Sequence, residues 1–314
     1  MSQSLPRVTF FLFAYNQADF IRDACEAALA QTYTPLEVIL SDDCSSDETF
    51  QIMQDVVASY SGPHQVRLNR NDQNLGLIGH VNRAMEITES DLIVVAAGDD
   101  ISLPERTEVI VKSYLEKKGQ VFSIHSAVTK IDVQGNELDV WVPPLTESQP
   151  SPFAIATALS LVIGATHAWT RDTFRVFGPI MHTHAYEDLV IAYRSALLGG
   201  IHYIDQPLVK YRVGNGGLST AAWEPVKNKE ERLCRLIKGL KVSVDVLAQR
   251  RDDALRLEQN ELAAILDRTI LDKKISLHVY EKTRSYFSTL ILAIKCRCFR
   301  SFRKAYWRVL RGVV

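Results

Sequence analysis

Three of the pairs of adjacent acidic residues in the sequence lie directly beside a run of apolar residues. These pairs are Asp42-Asp43, Asp99-Asp100 and Glu187-Asp188. Adjacent carboxylates repel each other unless a cation or a proton joins them. Oxygen ligands suit Mg²⁺ or Mn²⁺, which leave part of their coordination shell to phosphate oxygens and water. A carboxylate can also accept the proton of an attacking hydroxyl group. The pairs therefore indicate ligand binding, metal binding or base catalysis.

Each pair also has a purely structural interpretation. Asp42-Asp43 precedes a helical pattern in which residues 45–47 can cap free N–H groups, so the acidic turn can simply be solvated. Asp99-Asp100 precedes Pro104, a residue suited to the first turn of a helix. The carboxylates of Glu187-Asp188 suit the positive end of a helix dipole. On residue types alone, both interpretations stay open for each pair.

The first part of the chain alternates β-rich runs with amphipathic helical patterns, which is typical of a parallel sheet with crossover helices. The predicted strands are Val8–Ala14, Leu36–Ser41, Gln65–Asn69 and Leu92–Ala96, and the predicted helices are Ala18–Ala30, Asp47–Tyr60 and Leu77–Thr88. Such sheets bind ligands outside the carboxyl ends of their strands. The tripeptide Ala14-Tyr15-Asn16 and two of the acidic pairs follow strand ends, so we expect a ligand site at this edge.

The pattern then changes to longer strands and loops. Strands are predicted over Val121–Asp132, Ala165–Thr170 and His202–Tyr211, and we expect them to form a mixed sheet. Helical patterns over 227–250 and 251–280 predict an appendage without a catalytic role. The sequence thus predicts an α/β fold with a Rossmann-like central sheet and a C-terminal helical appendage.

Composition narrows the function classes. The 314 residues are 46% hydrophobic, and 36 basic and 37 acidic side chains nearly cancel, which argues against a nucleic-acid-binding protein. The five cysteines lack the paired spacing of a zinc site or a disulfide framework and predict a reducing, cytoplasmic location. The sequence contains no G-x-G-x-x-G, P-loop or G-x-S-x-G motif, which disfavours dehydrogenases, ATPases and serine hydrolases.

The last residues form a separate basic segment. Seven basic side chains and no acid occur in 295–314, and large apolar residues are interleaved with basic ones over 286–314. No apolar run reaches the ~20 residues that span a bilayer, so any membrane contact is expected to be peripheral. The segment suits a helix on an anionic bilayer surface. The alternative is a helix that docks on its own protein or on a second subunit.

Taken in order, the polar motifs resemble the family-2 glycosyltransferases of GT-A fold over residues 7 to about 220. The motifs are Ala14-Tyr15-Asn16, Ser41 to Asp47, Asn74-Leu75-Gly76 to Asn82, Gly98-Asp99-Asp100, Glu187-Asp188 and Tyr211-Arg212. The resemblance implies an inverting transfer of a sugar from a UDP- or dTDP-linked donor to the hydroxyl of a glycan or lipid-linked glycan, assisted by Mn²⁺ or Mg²⁺. The Gln-x-x-Arg-Trp motif of processive members is absent, which favours one sugar per encounter.

The resemblance implies roles for the strand-end residues. The segment Phe13-Ala14-Tyr15-Asn16 would bind the nucleotide, and Asp43 would bond the uracil or thymine imide. Asp99 and Asp100 would hold the metal that bridges the diphosphate. Where many members carry Asp as the first residue of an Asp-x-Asp triplet, this chain has Ala97, so the resemblance leaves open which of the two carboxylates is the main ligand.

The resemblance also implies a catalytic base and a lid. Asp188, with Glu187 beside it, matches the base that deprotonates the acceptor hydroxyl. Tyr211-Arg212 matches the start of a segment that closes over the nucleotide and continues to Ser219. The glycines at 214, 216 and 217 would let this segment open and shut. Gly214 occupies a position where relatives often carry His. The resemblance therefore leaves open whether this segment contacts the metal or the phosphates.

The predicted organisation is a GT-A glycosyltransferase domain over 1–222, a helical appendage over 223–285 and a basic amphipathic tail over 286–314. The expected function is sugar transfer in bacterial surface polysaccharide or lipopolysaccharide synthesis, at the inner face of the cytoplasmic membrane if the tail binds lipid. Two other interpretations stay open. One is a catalytically silent nucleotide-sugar-binding or scaffolding subunit. The other is a sugar nucleotidyltransferase, although the expected Gly-rich loop with Arg and Lys after the first strand is absent.

Overall fold

The computed structural model describes residues 5–117, 120–147, 149–214, 226, 228–281 and 286–311. The strands within these residues are β1 (Val8–Ala14), β2 (Glu37–Asp42), β3 (Gln65–Arg70), β4 (Leu92–Ala97), β5 (Ile101–Ser102), β6 (Ser123–Ile131), β7 (Glu137–Trp141), β8 (Ala168–Thr170) and β9 (Ile201–Arg212). The helices are α1 (Ile21–Leu29), α2 (Thr49–Ala58), α3 (Gly76–Ile87), α4 (Arg106–Glu116), α5 (Pro152–Ile155), α6 (Asp172–Arg175), α7 (Glu187–Leu198), α8 (Lys229–Arg256), α9 (Asn260–Glu281), α10 (Tyr286–Lys295) and α11 (Phe299–Leu310). A 3₁₀ turn covers Gly164–Thr166.

Within the described residues, nine strands form one sheet in the order β3-β2-β1-β4-β8-β6-β9-β5, and β7 pairs with β6. The first four strands pair in parallel. Strand β8 is antiparallel to β4 and β6, whereas β6 and β9 are parallel to each other. The predicted α/β fold, with a Rossmann-like half followed by a mixed sheet, is confirmed.

Apolar side chains cover both faces of the sheet, because its central strands are apolar at nearly every position. On one face, Phe11 and Ile93 pack with α3, α7 and α8. On the other face, Phe10 and Leu12 pack with α1, α2 and α4. Burying one such side chain contributes about 1.5–3 kcal/mol to folding. Strand β1 is therefore held between two packed layers, and its carboxyl end is a firm support for the loop that follows.

The four strands predicted in the first half are confirmed to within one residue at each end, but two helices begin later than predicted. Helix α1 begins at Ile21 and α2 at Thr49, instead of residues 18 and 47. The carboxylate of Asp47 accepts hydrogen bonds from the N–H groups of Ala18 (3.1 Å) and Thr49 (3.0 Å), which holds both segments in turns. The interpretation of residues 45–47 as capping residues is confirmed for Asp47, which accepts the N–H of Thr49, the first residue of α2, although Glu48 occupies the N-cap position and its own side chain caps nothing.

Helices α8 and α9 form a hairpin that packs on the sheet domain. Their turn lies at 257–259, where Glu258 has a φ of 56°, and the predicted division after residue 250 is wrong. No Gly or Pro marks this turn, so periodicity alone could not place it. Leu247 of α8 and Leu266 of α9 are buried in the same cluster as Val190 of α7. The predicted domain boundaries stay predictions, and residue 222 lies outside the described residues.

The basic segment forms two helices, α10 and α11, rather than the single helix that we expected. Arg297, with a φ of 58°, lies in the turn between them. Ala293, Phe302 and Ala305 are buried against α8 and α9. Over the described ranges, no helix combines the length and the apolar character that crossing a bilayer requires.

Candidate active site

The loops after β1, β2 and β4 begin at the same level of the sheet. The N–H of Asp43 donates to the carbonyl oxygen of Ala14 (2.9 Å), and the N–H of Gly98 donates to that of Phe13 (2.9 Å). The parallel register of the three strands agrees with these contacts. Asp43 and Asp99 therefore lie on the two sides of the segment that ends β1.

Asn16 fastens the first loop to the second. Its N–H donates to Oγ of Ser45 (2.8 Å), and its side-chain oxygen accepts the N–H of Ser46 (2.9 Å). Asn16 and Cys44 have φ values of 49° and 60°. Residues other than glycine keep this left-handed conformation only where their surroundings hold them. Asn16 therefore positions the loop, whereas its neighbour Tyr15 is exposed.

Phe13 and Ala14 point to opposite faces of the sheet, because successive strand residues alternate. Ala14 packs in the core beside α1, whereas Phe13 is half-buried with its ring 4.9 Å from that of His80, centre to centre. Buried on α3, His80 places its Nε2 2.6 Å from Oγ of Ser41. Burial lowers the pKa of His80 to about 4, against the attraction of nearby carboxylates, so the ring is neutral at pH 7. Sequence reasoning missed His80, since a lone His on an amphipathic helix carries no motif.

Asp43 is buried, and one of its carboxylate oxygens already has two donors. Oδ1 accepts hydrogen bonds from Nδ2 of Asn71 (2.7 Å) and from the N–H of Leu75 (3.0 Å). Among the described residues no donor reaches Oδ2, which keeps its accepting capacity. Asn71 directly follows β3, so the strand-end rule could have identified it, but sequence reasoning did not single it out.

Asp99 and Asp100 have different surroundings. Oδ1 of Asp100 accepts the N–H of Arg212 (2.8 Å), and the side chain is buried. Burial and the charge of Asp99 raise the pKa of Asp100 well above its usual range, while that N–H and the charges of Arg106 and Arg212 act in the opposite direction. Asp99 is partly exposed. Of the predicted metal pair, Asp99 is therefore the carboxylate that a ligand can reach directly.

Gly98 permits the close approach that places Asp99. A Cβ at this position would clash with Oε1 of Gln17, would lie 2.9 Å from Cδ1 of Ile21 and would lie 3.2 Å from Cβ of Ala14. These atoms belong to the last residue of β1, to the loop that follows it and to α1. A residue with a side chain would therefore push the end of β4 away from the end of β1.

Tyr211 and Arg212 end β9 and are both buried. Nε of Arg212 donates to the carbonyl oxygen of Asp99 (3.0 Å), and Nη1 donates to that of Asp132 (3.2 Å). The ring of Tyr211 lies 5.8 Å from that of Trp141. The two residues thus anchor the start of the predicted lid. The remainder of that segment, beyond residue 214, lies outside the described residues, and its closure stays a prediction.

Glu187 and Asp188 occupy the first turn of α7 and face Gly164. A Cβ at Gly164 would lie 3.0 Å from Oε1 of Glu187 and 3.6 Å from Oδ2 of Asp188. The N–H of Leu189 donates to Oδ1 of Asp188 (2.6 Å). Burial and the charge of its neighbour raise the pKa of Glu187 to about 8, and burial raises the pKa of Asp188 to about 6. A carboxylate with a pKa near neutrality is suited to accept a proton in a reaction.

Arg250 lies behind this turn and comes from α8, which we expected to have no catalytic role. Its Nη2 donates to the carbonyl oxygen of Leu189 (2.8 Å), and its Nη1 donates to three carbonyl oxygens of the segment 155–158 (2.7–3.1 Å). The charge of Arg250 lowers the pKa of Asp188 and so opposes the effect of burial. Sequence reasoning missed this contact, because an arginine in a highly charged helix resembles a surface residue.

Contacts connect the strand ends with the acidic turn of α7. Leu77, at the start of α3, and Tyr186, just before the acidic pair, line one cavity of about 420 Å³ together with α8. On the other side, the N–H of Val95 in β4 donates to the carbonyl oxygen of His167 (3.1 Å), which follows the 3₁₀ turn. The acidic turn therefore lies between α8 and the 3₁₀ turn that adjoins β4.

The corner at Asp99 and Asp100 fits a divalent cation. A bound cation would relieve the repulsion between the two carboxylates, of which Asp100 is the buried member. In the parts of the chain that the structure describes, no group of three or more His, Cys, Asp or Glu is placed to hold a metal. Mg²⁺ is typically held by one or two carboxylates, with phosphate oxygens and water as its other ligands. The residues present fit an ion of that kind.

A family model and relatives of known sequence match large parts of the chain. Residues 9–151 match the family model for glycosyl transferase family 2. ExoO of Rhizobium meliloti (strain 1021), a succinoglycan biosynthesis protein, is 38% identical over 64% of this chain and 54% of its own length. EpsE of Bacillus subtilis (strain 168), whose name describes a glycosyltransferase, is 28% identical over 59% of this chain and 64% of its own length. The chain thus spans between about half and two thirds of these curated relatives.

Solved structures share the fold. TarS of S. aureus, residues 1–349 in complex with UDP-GlcNAc, has a TM-score of 0.59 at 15% identity, covering 98% of this chain and 92% of that one. The mannosyltransferase PcManGT from Pyrobaculum calidifontis, in complex with GDP-Man and Mn²⁺, has a TM-score of 0.53 at 16% identity, covering 98% and 88%. The similarity confirms the predicted architecture. Residues 9–151 therefore form a family-2 glycosyltransferase domain, within a chain of GT-A fold.

Proposed function

We propose that the protein transfers a single sugar from a UDP- or dTDP-linked donor to an acceptor hydroxyl, with inversion at the anomeric carbon. The observation that carries the proposal is the acidic turn of α7. Glu187 and Asp188 are partly exposed, have raised pKa values and face Gly164, in the 3₁₀ turn that leads to the backbone contact with β4. A base with a pKa of about 6 is mostly ionised at pH 7 and remains basic enough to accept a proton.

The donor nucleotide would bind at the ends of β1 and β2. Oδ2 of Asp43 would accept the imide N–H of a uracil or thymine base, while Asn71 keeps Oδ1 in place. Phe13 and the exposed Tyr15 would offer aromatic surface to the base. The complexes of TarS with UDP-GlcNAc and of PcManGT with GDP-Man support a nucleotide sugar as the donor.

Asp99, with Asp100 behind it, would hold Mg²⁺ or Mn²⁺ at the diphosphate. When bound, the metal supplies positive charge that stabilises the diphosphate leaving group. The N–H of Arg212 would keep the carboxylate of Asp100 oriented. The Mn²⁺ in PcManGT supports a divalent cation in this fold.

Asp188 would take the proton of the acceptor hydroxyl as that oxygen attacks the anomeric carbon. The new C–O bond forms on the face opposite the nucleotide, and the bond from the anomeric carbon to the diphosphate breaks with its electron pair, which inverts the configuration. The N–H of Leu189 would fix Oδ1 of Asp188, while Oδ2 faces Gly164, which has no side chain. The buried charge of Arg250 would help to keep this base ionised.

The acceptor would approach from the cavity between Leu77, Tyr186 and α8. Its lining is mostly apolar and includes Lys238 and Lys241, which suits a glycan joined to an anionic, partly apolar carrier such as a phosphorylated lipid. The role of ExoO in succinoglycan biosynthesis supports a function in bacterial surface polysaccharide synthesis. The five cysteines are free thiols, which supports a reducing, cytoplasmic location.

Calorimetric titration with UDP, dTDP and their sugars, with and without Mn²⁺, tests donor binding, and release of the free nucleotide tests turnover with water as the acceptor. Asp188→Asn should bind the donor as the wild type does but turn it over more slowly, by on the order of 10²-fold or more. Asp99→Asn should lose the part of the affinity that depends on Mn²⁺. Asp55→Asn, on the exposed side of α2, is the matched control and should change neither.

Two results would overturn the proposal. Normal turnover by Asp188→Asn would remove the assigned base. Nucleotide binding without any turnover in the wild type, with every donor tried, would favour the silent sugar-binding subunit instead.

A further inference from the structure

The outer side of the α10–α11 hairpin exposes large apolar side chains. Phe287, Ile291 and Ile294 recur on one face of α10, with exposures of 73%, 40% and 58%. On α11, Trp307 and Leu310 are 50% and 56% exposed. Concentrations of exposed apolar residues usually mark a binding surface. We call the exposed residues of these two helices, apolar and basic together, the tail surface.

The same side of the hairpin carries unbalanced positive charge. Its exposed basic residues are Lys295, Arg297, Arg300, Arg303, Lys304, Arg308 and Arg311. No acidic residue occurs between positions 286 and 311. The guanidinium of Arg311 lies 5.4 Å from the ring centre of Trp307, so basic and apolar groups adjoin each other. The complement of this surface must be anionic and apolar at once.

The inner side of the hairpin is already occupied. Ala293 and Phe302 are buried with Leu240 of α8 and Ile275 of α9. Oγ of Ser301 donates to the carboxylate of Asp272 in α9 (2.6 Å). Docking on its own protein, one of the two interpretations of the basic segment, thus describes the inner side. The outer side remains for a different partner.

We propose that the tail surface binds the anionic surface of a lipid bilayer, with α10 and α11 lying in the plane of the interface. The apolar side chains enter the boundary of the acyl chains, and the basic groups meet lipid phosphates. A second copy of this chain is disfavoured, because two such surfaces would bring like charges together. Nucleic acid would match the charge but would leave Phe287, Ile294 and Leu310 without an apolar partner. The inference does not depend on the proposed sugar transfer.

Co-sedimentation of the full chain with vesicles tests the proposal, since it needs no sugar donor. Vesicles of phosphatidylcholine mixed with phosphatidylglycerol should bind the protein, and vesicles of phosphatidylcholine alone should bind it much less. Each basic residue near such a surface contributes about a fivefold gain in partitioning. The triple variant Arg300→Gln, Arg303→Gln, Lys304→Gln should therefore bind the anionic vesicles on the order of a hundredfold more weakly, and high salt should weaken the wild type.

A matched triple variant controls for overall charge. Lys112→Gln, Lys229→Gln and Lys274→Gln remove the same charge from exposed positions on α4, α8 and α9, and binding should change little. Bromine-labelled lipid should quench the fluorescence of the wild type more than that of Trp307→Phe, which reports contact even if the triple variant folds poorly. Circular dichroism melting measures the folding of each variant.

Four results would overturn the proposal. The first is equal binding of the wild type to neutral and anionic vesicles, and the second is an equal loss of vesicle binding in the two triple variants. The third is binding to a duplex oligonucleotide without binding to anionic vesicles. The fourth is self-association that the first triple variant abolishes, in a protein that does not bind vesicles.

Discussion

Replacing Arg250 should test how the helical region supports the candidate base. The side chain is 0% exposed, and its guanidinium donates five hydrogen bonds to four carbonyl oxygens. Two of these bonds reach Leu189, in the turn that carries Asp188. Burial lowers the pKa of Arg250 only to about 10, so the group is charged at pH 7.

Arg250→Met keeps an unbranched side chain but removes the charge and every donor. A buried carbonyl group left without a donor costs about 1–3 kcal/mol, and less where water enters or the backbone shifts. We expect the free energy of unfolding to fall by about 3–5 kcal/mol and the melting temperature by roughly 6–15 °C. Arg251→Met is the matched control. Arg251 is partly exposed and pairs with Asp252 and Asp267, so its loss should cost about 0–1 kcal/mol.

Urea unfolding followed by tryptophan fluorescence measures both variants. The pH dependence of donor turnover is the second assay. Without the positive charge, the pKa of Asp188 should rise further above about 6, so activity should be lost at a higher pH as the solution is acidified. Equal losses of stability in Arg250→Met and Arg251→Met would refute the role of the buried contacts. An unshifted acid limb would show that the charge does not act on the base.

Three other perturbations probe the site and its supports. Donor turnover should fall as the pH drops through about 6, because Asp188 accepts a proton only when it is ionised. Measurements of kcat over a series of pH values test this, and Asp188→Asn should lack the transition. Gly98→Ala should lower the melting temperature and Gly239→Ala should raise it, because a Cβ at 98 meets neighbouring side chains, whereas at 239 it meets nothing within 4 Å and Ala favours a helix by about 1 kcal/mol. Asp253→Asn should lower the free energy of unfolding in urea by about 3–5 kcal/mol. Nε of Arg194 lies 2.8 Å from Oδ2 of Asp253, so the substitution leaves the buried charge of Arg194 without its carboxylate.

Each of these expectations has a result that contradicts it. A turnover profile that stays flat across pH 6 would exclude Asp188 as the base. A melting temperature of Gly98→Ala equal to or above that of the wild type would show that the end of β4 tolerates a side chain. A loss in Asp253→Asn no larger than that in the more exposed Asp252→Asn would show that solvent reaches the pair.

Local patterns were sufficient for the strands of the first half. β1 is apolar at six of its seven positions, with Thr9 as the exception, and six of the seven are buried. A short apolar run of this kind is typical of a strand whose two faces are both buried. The end of the strand, and the position of the loop after it, could therefore be predicted from the sequence pattern. The same holds for β4, which delivers Gly98 and Asp99 to the edge of the sheet.

Helix boundaries could not be read in the same way. Asp47 accepts the N–H of Ala18, before α1, and that of Thr49, where α2 begins, and both helices start later than the sequence predicts. The turn at Glu258 carries no Gly or Pro, so the periodicity of α8 and α9 continues past the true boundary. The first case depends on a contact with a residue from another segment, Ala18, which propensity does not contain.

The sequence by itself determined the elements that apolar periodicity marks, the types of polar residues at their ends and the motifs that identify the family. Only the tertiary structure decided that Asp100 turns inward while Asp99 stays partly exposed, and that Arg250 lies behind Asp188. It also decided that one side of the basic hairpin is packed and the other is open. The reason is that periodicity reflects neighbours along the chain, whereas burial and charge join residues far apart, such as Arg212 and Asp100 at a separation of 112 positions or Arg250 and Leu189 at 61. Those contacts depend on how the helices pack on the sheet. That packing is determined by side chains throughout the core rather than by any one segment.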